Sequence, residues 1–338
     1  MKIEENVLIS SLTTMRLGGP ARYVITIAQI DEVEEAYAFA KEKNLPIWVM
    51  GGGANTIGRD EGFEGIILLN RLYGMEVMAE EAENIIIKGM GGEVWDDFVG
   101  FCTSKGFSGI EAMSAIPGTL GAAPVQNIGA YGQELSQVIL SVEAYDSWEE
   151  KMVEIPADEM QLEYRKSIFN SGEQVGRYFI TSVTVRLRKT ELRPPFYTSL
   201  QKYVDDNGET DFSPENIRRM VTIVREGKLP NPKLLASAGS FFENVYVSDA
   251  EAEVAREKGI QVWRENGKNI INSGWLIEQC GLKGKELHGM RVSDKAALVL
   301  INEKAKNYAD LAAAREEIKK AVREKFGYEL EQEPMEIC

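Results

Sequence analysis

The spacing of apolar and polar residues predicts strands packed with one helix at the start of the chain. Residues 22–27 have a strand pattern, and Asp31 caps a helix that continues to about Lys43. The helix places on one face Val33, Ala36, Tyr37 and Ala40. Apolar runs at 47–50 and 66–69 predict further strands, so the first unit is strand–helix–strand. We place a domain boundary near residue 70.

Later patterns predict a β-rich second region and a mixed third region. The predicted strands are Ile85–Lys88, Ser141–Tyr145, Phe179–Leu187 and Ala297–Ile301. The predicted helices start near Trp95, Pro214, Asp249, Ser273 and Asn307. The last helix has Asp310 at the capping-box position and ends at Gly327.

Two glycine-rich segments interrupt these patterns. Residues 116–132 read IPGTLGAAPVQNIGAYG, which is too irregular for a strand and too broken for a long helix. Such a packed loop leaves backbone N–H groups that a pyrophosphate can satisfy. A glycine triplet, residues 51–53, follows the strand at 47–50, but it lacks both the G-x-G-x-x-G pattern and a P-loop lysine. Together the segments predict a dinucleotide held by loops rather than by a Rossmann turn.

Composition narrows the class of partner. The 338 residues allow two or three domains, and the net charge of −15 argues against nucleic acid or an anionic membrane. We find no apolar run of transmembrane length and no signal peptide in MKIEENVLIS. The widely spaced Cys102, Cys280 and Cys338 indicate a reducing cytoplasm and no metal site. His288, the single histidine, lies in a polar segment that looks like a surface turn.

Ordered motifs along nearly the whole chain resemble those of UDP-N-acetylenolpyruvoylglucosamine reductases, flavoenzymes of bacterial cell-wall synthesis. The segments similar to FAD-binding motifs are Thr13–Ala21 (TTMRLGGPA), Gly51–Ile57 (GGGANTI) and 116–132. Those similar to substrate and catalytic motifs are Glu163–Phe169 (EYRKSIF), Leu229–Lys233 (LPNPK), Ala238–Asn244 (AGSFFEN) and Leu330–Glu333 (LEQE). Phe196–Leu200 (FYTSL) resembles the tyrosine loop of the longer subgroup.

The resemblance implies an α+β protein with an FAD-binding fold of the PCMH and vanillyl-alcohol-oxidase type. Two subdomains would hold FAD, and a third α+β domain would bind the substrate. We expect subdomain 1 at 1–70, joined by the C-terminal tail 328–338. Subdomain 2 is then expected at 71–234 and the substrate domain at 235–327. The implied reaction is NADPH-dependent reduction of an enolpyruvyl UDP-sugar to UDP-N-acetylmuramate, with no obligate protein partner.

The resemblance also implies the residues that hold the cofactor. Non-covalent FAD would contact Gly51, Gly52, Gly53, Ala54, Asn55, Pro117, Gly118, Gly121, Gln126, Asn127, Gly129 and Ala130. NADPH would serve as co-substrate, and no metal is implied.

Three residues are implied as catalytic. Hydride addition to the enolpyruvyl group builds negative charge on its carboxylate, and Arg165 offers a charged fork for that group. Ser240 would donate the proton to the substrate carbon that is adjacent to the carboxylate. Glu333 would orient the reacting groups or share the proton.

Four residues are implied in substrate binding. Lys233 and Lys283 would offset the UDP phosphates, while Asn244 and Tyr197 would hold the nucleotide, with Tyr197 on a mobile lid. The chain departs from the family pattern at Glu243 and Ala296, which puts those substrate contacts in question.

Two other functions remain open from the sequence. One is an FAD oxidase of the same fold with a covalent flavin, but the glycine loops lack the His or Cys that such a link uses. The other is a non-catalytic protein that binds a nucleotide sugar. The joint presence of Arg165, Ser240 and Glu333 argues against it.

Overall fold

The structure, a computed structural model, describes residues 1–265 and 267–337. The chain divides into two compact units. Unit 1 comprises residues 1–7, 21–53 and 63–227. Unit 2 comprises residues 8–20, 54–62 and the chain from Lys228 onward.

The strands come in the following chain order. The first ten are β1 (Lys2–Leu8), β2 (Pro20–Ile27), β3 (Ile47–Met50), β4 (Thr56–Gly58), β5 (Phe63–Asn70), β6 (Met75–Glu80), β7 (Asn84–Met90), β8 (Gly129–Ala130), β9 (Gln133–Glu134) and β10 (Ile139–Asp146). The others are β11 (Lys151–Pro156), β12 (Tyr178–Arg188), β13 (Ala236–Ser237), β14 (Val245–Val247), β15 (Trp263–Glu265), β16 (Lys268–Ile271), β17 (Glu286–Leu287), β18 (Met290–Val292), β19 (Leu300–Asn302) and β20 (Met335–Ile337). The α-helices are α1 (Asp31–Lys43), α2 (Trp95–Ser104), α3 (Thr198–Asn207), α4 (Pro214–Lys228), α5 (Asp249–Glu257), α6 (Ser273–Gln279) and α7 (Tyr308–Phe326).

Unit 1 contains two larger sheets and the two-stranded sheet β8-β9. The first has the order β1-β2-β5-β3, with β2 and β3 both parallel to β5, and it packs on α1. The second has the order β11-β10-β12-β7-β6, and every neighbouring pair in it is antiparallel. Its core includes Trp95 and Phe98 of α2 against Val142 and Val183 of the sheet. Because β3 ends at Met50, the sheet delivers the glycine triplet to its carboxyl edge.

Unit 2 is built around α7 and two small sheets. Their orders are β13-β19-β18-β17 and β14-β16-β15. The α7 side chains that are buried, Leu311, Ala314, Ile318 and Val322, recur at helical spacing. In the same core lie the adjacent rings of Phe241 and Phe242. Strand β20 of the C-terminal tail pairs in parallel with β4.

Most predicted elements are confirmed, two predicted details were wrong, and several elements, among them β1, β6 and β11, were not predicted. Asp31 is the first residue of α1 rather than a side-chain cap, because the preceding Ile30 already has helical backbone angles. The apolar run 297–301 is buried except for the partly exposed Leu298, but β19 starts only at Leu300 because the Val299 N–H closes a turn on Ala296. Helix α3 was not predicted.

The single histidine and the cysteines have the following positions in the structure. His288 is in an exposed turn, as predicted, with its Nε2 atom 3.1 Å from Glu317. Cys102 and Cys280 are free thiols, and Cys338 lies outside the described residues. Within residues 1–265 and 267–337, no helix has the length and apolarity to cross a bilayer, and no group of three or more His, Cys, Asp or Glu residues suits a metal ion.

Candidate active site

Two glycine-rich loops lie against each other in unit 1. The first follows β3 and the second is segment 116–132. A Cβ atom at Gly51 would lie 2.0 Å from Oγ1 of Thr119, and one at Gly52 would lie 3.1 Å from Cα of Gly118. Side chains on the first loop would push the loops apart, which explains why glycines occupy it.

The second loop combines open backbone with an unpartnered hydroxyl. Gly118 has φ +131°, and no atom lies within 4 Å of a Cβ placed there. The Thr119 hydroxyl is buried and has no hydrogen-bond partner among the described residues. A buried hydroxyl needs an acceptor, and open loop backbone suits an anion, so this cradle fits the phosphate oxygens of FAD. Sequence reasoning did not select Thr119, although its position beside Gly118 was an available signal.

Gly121 has a different reason to be glycine from the one predicted. Its added Cβ would lie 2.9 Å from both Cα and O of Gly91 and 3.2 Å from the carbonyl oxygen of Ile180. The backbone N–H of Gly121 also donates to the Gly91 carbonyl at 2.9 Å. Close packing of the protein therefore accounts for this glycine, and its contact with a cofactor stays a prediction. The exposed Pro117 and the half-buried Gln126 lie in the same loop.

Asn127 fixes the second half of the loop to the segment that carries Arg165. It has φ +40° and is buried, and its Oδ1 accepts a hydrogen bond from the Ser136 N–H at 2.9 Å. Its Nδ2 donates to the carbonyl oxygen of Glu163 at 3.2 Å. The Asn127 N–H also donates to the Pro124 carbonyl at 3.2 Å, so the protein itself engages this residue and its contact with a cofactor stays a prediction. Nearby, β8 (Gly129–Ala130) pairs with β9.

Arg165 is presented at the tip of a tight turn. Glu163 and Lys166 exchange backbone hydrogen bonds of 3.0 and 3.2 Å, which leaves Tyr164 and Arg165 between them. Arg165 has φ +56°, a conformation that costs a non-glycine residue about 1–3 kcal/mol. Its guanidinium lies 4.9 Å from the Tyr164 ring centroid, and its carbonyl accepts from Asn170 at 3.0 Å. The turn thus holds a strained, half-buried cation in place.

Arg225 is a candidate site residue that sequence reasoning missed. It lies two turns after Arg218 on α4, and Arg218 pairs with Asp96 at 2.9 Å. The Arg225 guanidinium makes no hydrogen bond or ion pair in the part of the chain that the structure describes. Burial and the positive charge of Arg165 lower the pKa of Arg225. An anion bound beside these two cations would relieve both effects. The only sequence signal was the seven-residue spacing from Arg218.

Tyr197 lies beside the second glycine loop. It occupies the N-cap position of α3 and is 46% exposed. Its ring makes an edge contact with Tyr131, with centroids 5.8 Å apart. The predicted substrate clamp therefore starts a short helix and contacts the loop, while its motion as a lid stays a prediction.

Ser240 and Glu333 lie on paired segments of unit 2. The Glu333 N–H donates to the Phe241 carbonyl at 3.0 Å, and the Glu243 N–H donates to the Glu331 carbonyl at 2.9 Å. A bridge between Phe242 and Gln332 completes this antiparallel pairing. Because Ser240 immediately precedes Phe241, two of the predicted catalytic residues are brought together. Both are half-buried.

Asn55 joins the same arrangement. Its Nδ2 lies 3.4 Å from the Glu333 carbonyl oxygen, and its own carbonyl accepts from the Met335 N–H at 3.0 Å. The segment that starts at Ala54 therefore lies against the tail that carries Glu333. Within unit 2, a predicted cofactor residue and a predicted catalytic residue are neighbours.

The predicted substrate cations contact other parts of unit 2. The Lys233 carbonyl accepts from Arg16 at 2.8 Å, and the Lys283 ammonium pairs with Glu278 at 3.0 Å. Asn244 accepts from the Ser273 N–H at 3.2 Å, at the start of α6. Lys233 and Lys283 have exposed side chains, so a phosphate would have to recruit them from solvent.

Comparisons with known proteins identify the family and its domains. Residues 231–337 match the domain described as UDP-N-acetylenolpyruvoylglucosamine reductase, C-terminal domain, and residues 21–155 match an FAD binding domain. The UDP-N-acetylenolpyruvoylglucosamine reductase of Paraburkholderia xenovorans is 37% identical over 320 residues, which cover 93% of this chain and 92% of that protein. The protein of the same name from Pseudomonas aeruginosa is 33% identical over 338 residues, covering 99% and 98%.

A solved structure shows the same fold. The crystal structure of UDP-N-acetylenolpyruvylglucosamine reductase from Thermus caldophilus covers 100% of both chains, with a TM-score of 0.67 and 23% identity. The predicted FAD-binding α+β fold is confirmed.

Proposed function

The chain belongs to the UDP-N-acetylenolpyruvoylglucosamine reductase family, and from this premise we propose how its own residues carry out the reaction. The enzyme reduces the enolpyruvyl group of UDP-N-acetylenolpyruvoylglucosamine with NADPH and FAD, and the product is UDP-N-acetylmuramate for peptidoglycan synthesis. The substrate is a small UDP-sugar, and we propose that the reaction takes place in the cytoplasm without nucleic acid, membrane or a protein partner.

The cofactor is held by the two glycine-rich loops. The backbone of Gly51 and Gly52 lies close to Gly118 and Thr119 and forms the cradle, and the Thr119 hydroxyl, which has no partner among the described residues, would donate to a phosphate oxygen. The other cofactor residues are Gly53, Ala54, Asn55, Pro117, Gly121, Gln126, Asn127, Gly129 and Ala130. Bound FAD supplies hydride transfer from NADPH to the terminal carbon of the enolpyruvyl group.

Arg165 and Arg225 stabilise the charge that develops on the substrate carboxylate. The turn from Glu163 to Lys166 fixes Arg165 before the substrate arrives, so little reorganisation is needed during the reaction. Arg225 adds a second desolvated cation that favours an anion at this place.

Ser240 donates the proton to the carbon beside the carboxylate, and Glu333 orients the reacting groups. The observation that carries this assignment is the pairing of residues 241–243 with 331–333, which places both residues on neighbouring segments. A serine hydroxyl is a weak acid, so a polarising partner is required. Tyr197, Lys233, Asn244 and Lys283 bind the nucleotide and its phosphates.

The proposal is tested by the two half-reactions of the purified protein without oxygen. NADPH should bleach the flavin colour, and UDP-N-acetylenolpyruvoylglucosamine should restore it with formation of UDP-N-acetylmuramate. Bleaching followed by recovery only in air would indicate an oxidase. Binding of the UDP-sugar without any recovery would indicate a non-catalytic binding protein.

A further inference from the structure

The carboxylate of Glu336 is held by four side chains in unit 2. Arg59 donates to one oxygen at 3.0 and 2.7 Å. Tyr308 and Arg315 donate to the other at 2.7 and 2.6 Å, and Gln332 lies 3.3 Å from it. We call Glu336 with these four residues the tail clamp.

The tail clamp joins three distant segments of the chain. Arg59 follows β4, Tyr308 and Arg315 lie on α7, and Glu336 lies on β20. The corner after β4 is also tied to α7, because the Asp60 carboxylate accepts from the Tyr308 N–H at 2.7 Å. The C-terminal tail is therefore fixed against the helix and the β4 corner together.

The centre of the tail clamp is shielded from solvent, while Arg59 at its edge is 43% exposed. The Glu336 side chain is 15% exposed and that of Arg315 is 18% exposed. Burial alone would raise the pKa of Glu336, but hydrogen bonds from Tyr308, Arg59 and Arg315 outweigh it and lower the pKa. The carboxylate stays ionised, so its hydrogen bonds are charge-assisted and short.

The position of the tail clamp relative to Glu333 indicates a role beyond stabilising the fold. Glu333 precedes Glu336 by three residues, and between them the chain is tied to Asn55 through the Met335 N–H. The Glu333 backbone contacts Phe241 on one side and Asn55 on the other. A shift of the tail at Glu336 would move Glu333 relative to Ser240.

We propose that Glu336 is a positioning residue that holds Glu333 in register with Ser240 through the tail clamp. This inference rests on the proposed role of Glu333 in the reaction. Misplacement of a reacting group by about 1 Å can cost on the order of 100-fold in rate. The tail clamp therefore acts on the rate of proton and hydride delivery to the substrate, and not on flavin binding or on reduction by NADPH.

The experiment compares Glu336→Gln with Glu303→Gln in FAD-loaded enzyme. Glu303 is the control because it also pairs with an arginine, Arg291, at 2.8 Å, although its side chain is 30% exposed against 15% for Glu336. In Glu336→Gln, reoxidation of the reduced enzyme by the enolpyruvyl substrate should slow roughly 10- to 100-fold, with flavin content, reduction by NADPH and KM preserved. Glu303→Gln should reoxidise at the parent rate.

A second variant keeps the test valid if Glu336→Gln does not fold. Tyr308→Phe removes one hydrogen bond to Glu336 and leaves both arginines, so it should slow the same step to a smaller extent. Unchanged reoxidation in the folded variants, or equal slowing in Glu303→Gln, would overturn the proposed positioning role of the tail clamp alone. A parent enzyme that NADPH reduces but the substrate never reoxidises would overturn the proposed function as well.

Discussion

The backbone N–H of Glu333 donates to the carbonyl oxygen of Phe241 at 3.0 Å. This hydrogen bond joins the C-terminal tail to the segment that carries Ser240. It brings together two residues that no local pattern connects, and it lies in a pairing that extends to Glu243 and Glu331. The catalytic role proposed for unit 2 depends on this pairing.

Removing the backbone freedom of Gly118 should release the flavin. Gly118→Ala places a methyl group at φ +131°, in open space that we assign to the FAD phosphates. Gly106→Ala is the matched control, because Gly106 has φ +77° and no atom within 4 Å of the added Cβ. Each change strains the backbone and should cost about 1–3 kcal/mol of stability, but only Gly118→Ala should purify colourless. Equal flavin content in both variants would remove Gly118 from the cofactor site.

Arg225 should matter for the reaction and not for stability. Arg225→Met removes a cation whose pKa is lowered by burial and by Arg165, so the melting temperature should stay level or rise. The activation barrier for reoxidation by the enolpyruvyl substrate should rise by about 1.5–3 kcal/mol, because a charged hydrogen bond to the carboxylate is lost. Arg218→Met breaks the pair with Asp96. This variant should have a lower melting temperature and an unchanged rate of reoxidation. A melting temperature lowered in Arg225→Met, with an unchanged reaction, would make Arg225 structural.

The buried pair of Asp146 and Arg177 should give unit 1 a pH-dependent stability. Arg177 donates to both Asp146 oxygens at 2.8 and 2.6 Å, and its guanidinium lies 4.0 Å from the Trp148 ring centroid. Burial opposes ionisation of Asp146, but the hydrogen bonds from Arg177 and Trp148 outweigh it and lower the pKa. Asp146→Asn should lower the free energy of unfolding by about 1.5–3 kcal/mol at neutral pH, because the charged hydrogen bonds from Arg177 are lost or weakened.

The sign of this effect follows from the lowered pKa. The stabilisation is complete above the unfolded-state pKa of about 3.9 and is lost as the pH falls through the folded-state value. The difference between parent and Asp146→Asn in urea unfolding at fixed FAD should therefore be constant near neutral pH and shrink in acid. The exposed pair of Asp206 and Lys202, 2.7 Å apart, provides the control, since Asp206→Asn should change stability by less than about 1 kcal/mol. A difference that grows in acid would contradict the assignment.

Local patterns were sufficient for the strands and helices that bury one face. Helix α1 has buried residues at helical spacing, acidic residues in its first turn and Asn44 in a left-handed C-cap, so several signals agree. Helix α3 buries only Leu200 and Val204, and the prolines before it and Gly208 after it suggested a loop. Its stability comes from packing with Ile217 and Val221 of α4, which no local pattern encodes.

Some residues of the candidate site could likewise be predicted from the sequence, and others could not. The glycine loops could be found from composition, because backbone that must approach a ligand or another loop requires glycine. Arg165, Ser240 and Glu333 required the family motifs, since each alone resembles an ordinary loop or tail residue. The tail clamp was beyond sequence reasoning, because Arg59 and Glu336 are 277 positions apart and meet only after folding.

The most direct test of the account is the rate at which NADPH-reduced Ser240→Ala is reoxidised by UDP-N-acetylenolpyruvoylglucosamine in an anaerobic stopped-flow experiment. The variant should fold, stay yellow and be reduced by NADPH at the parent rate. Its reoxidation should be slower by about 10²- to 10⁴-fold, the usual contribution of a general acid. Reoxidation of Ser240→Ala at the parent rate would contradict the account, and the proton would then have to come from Glu333 or water.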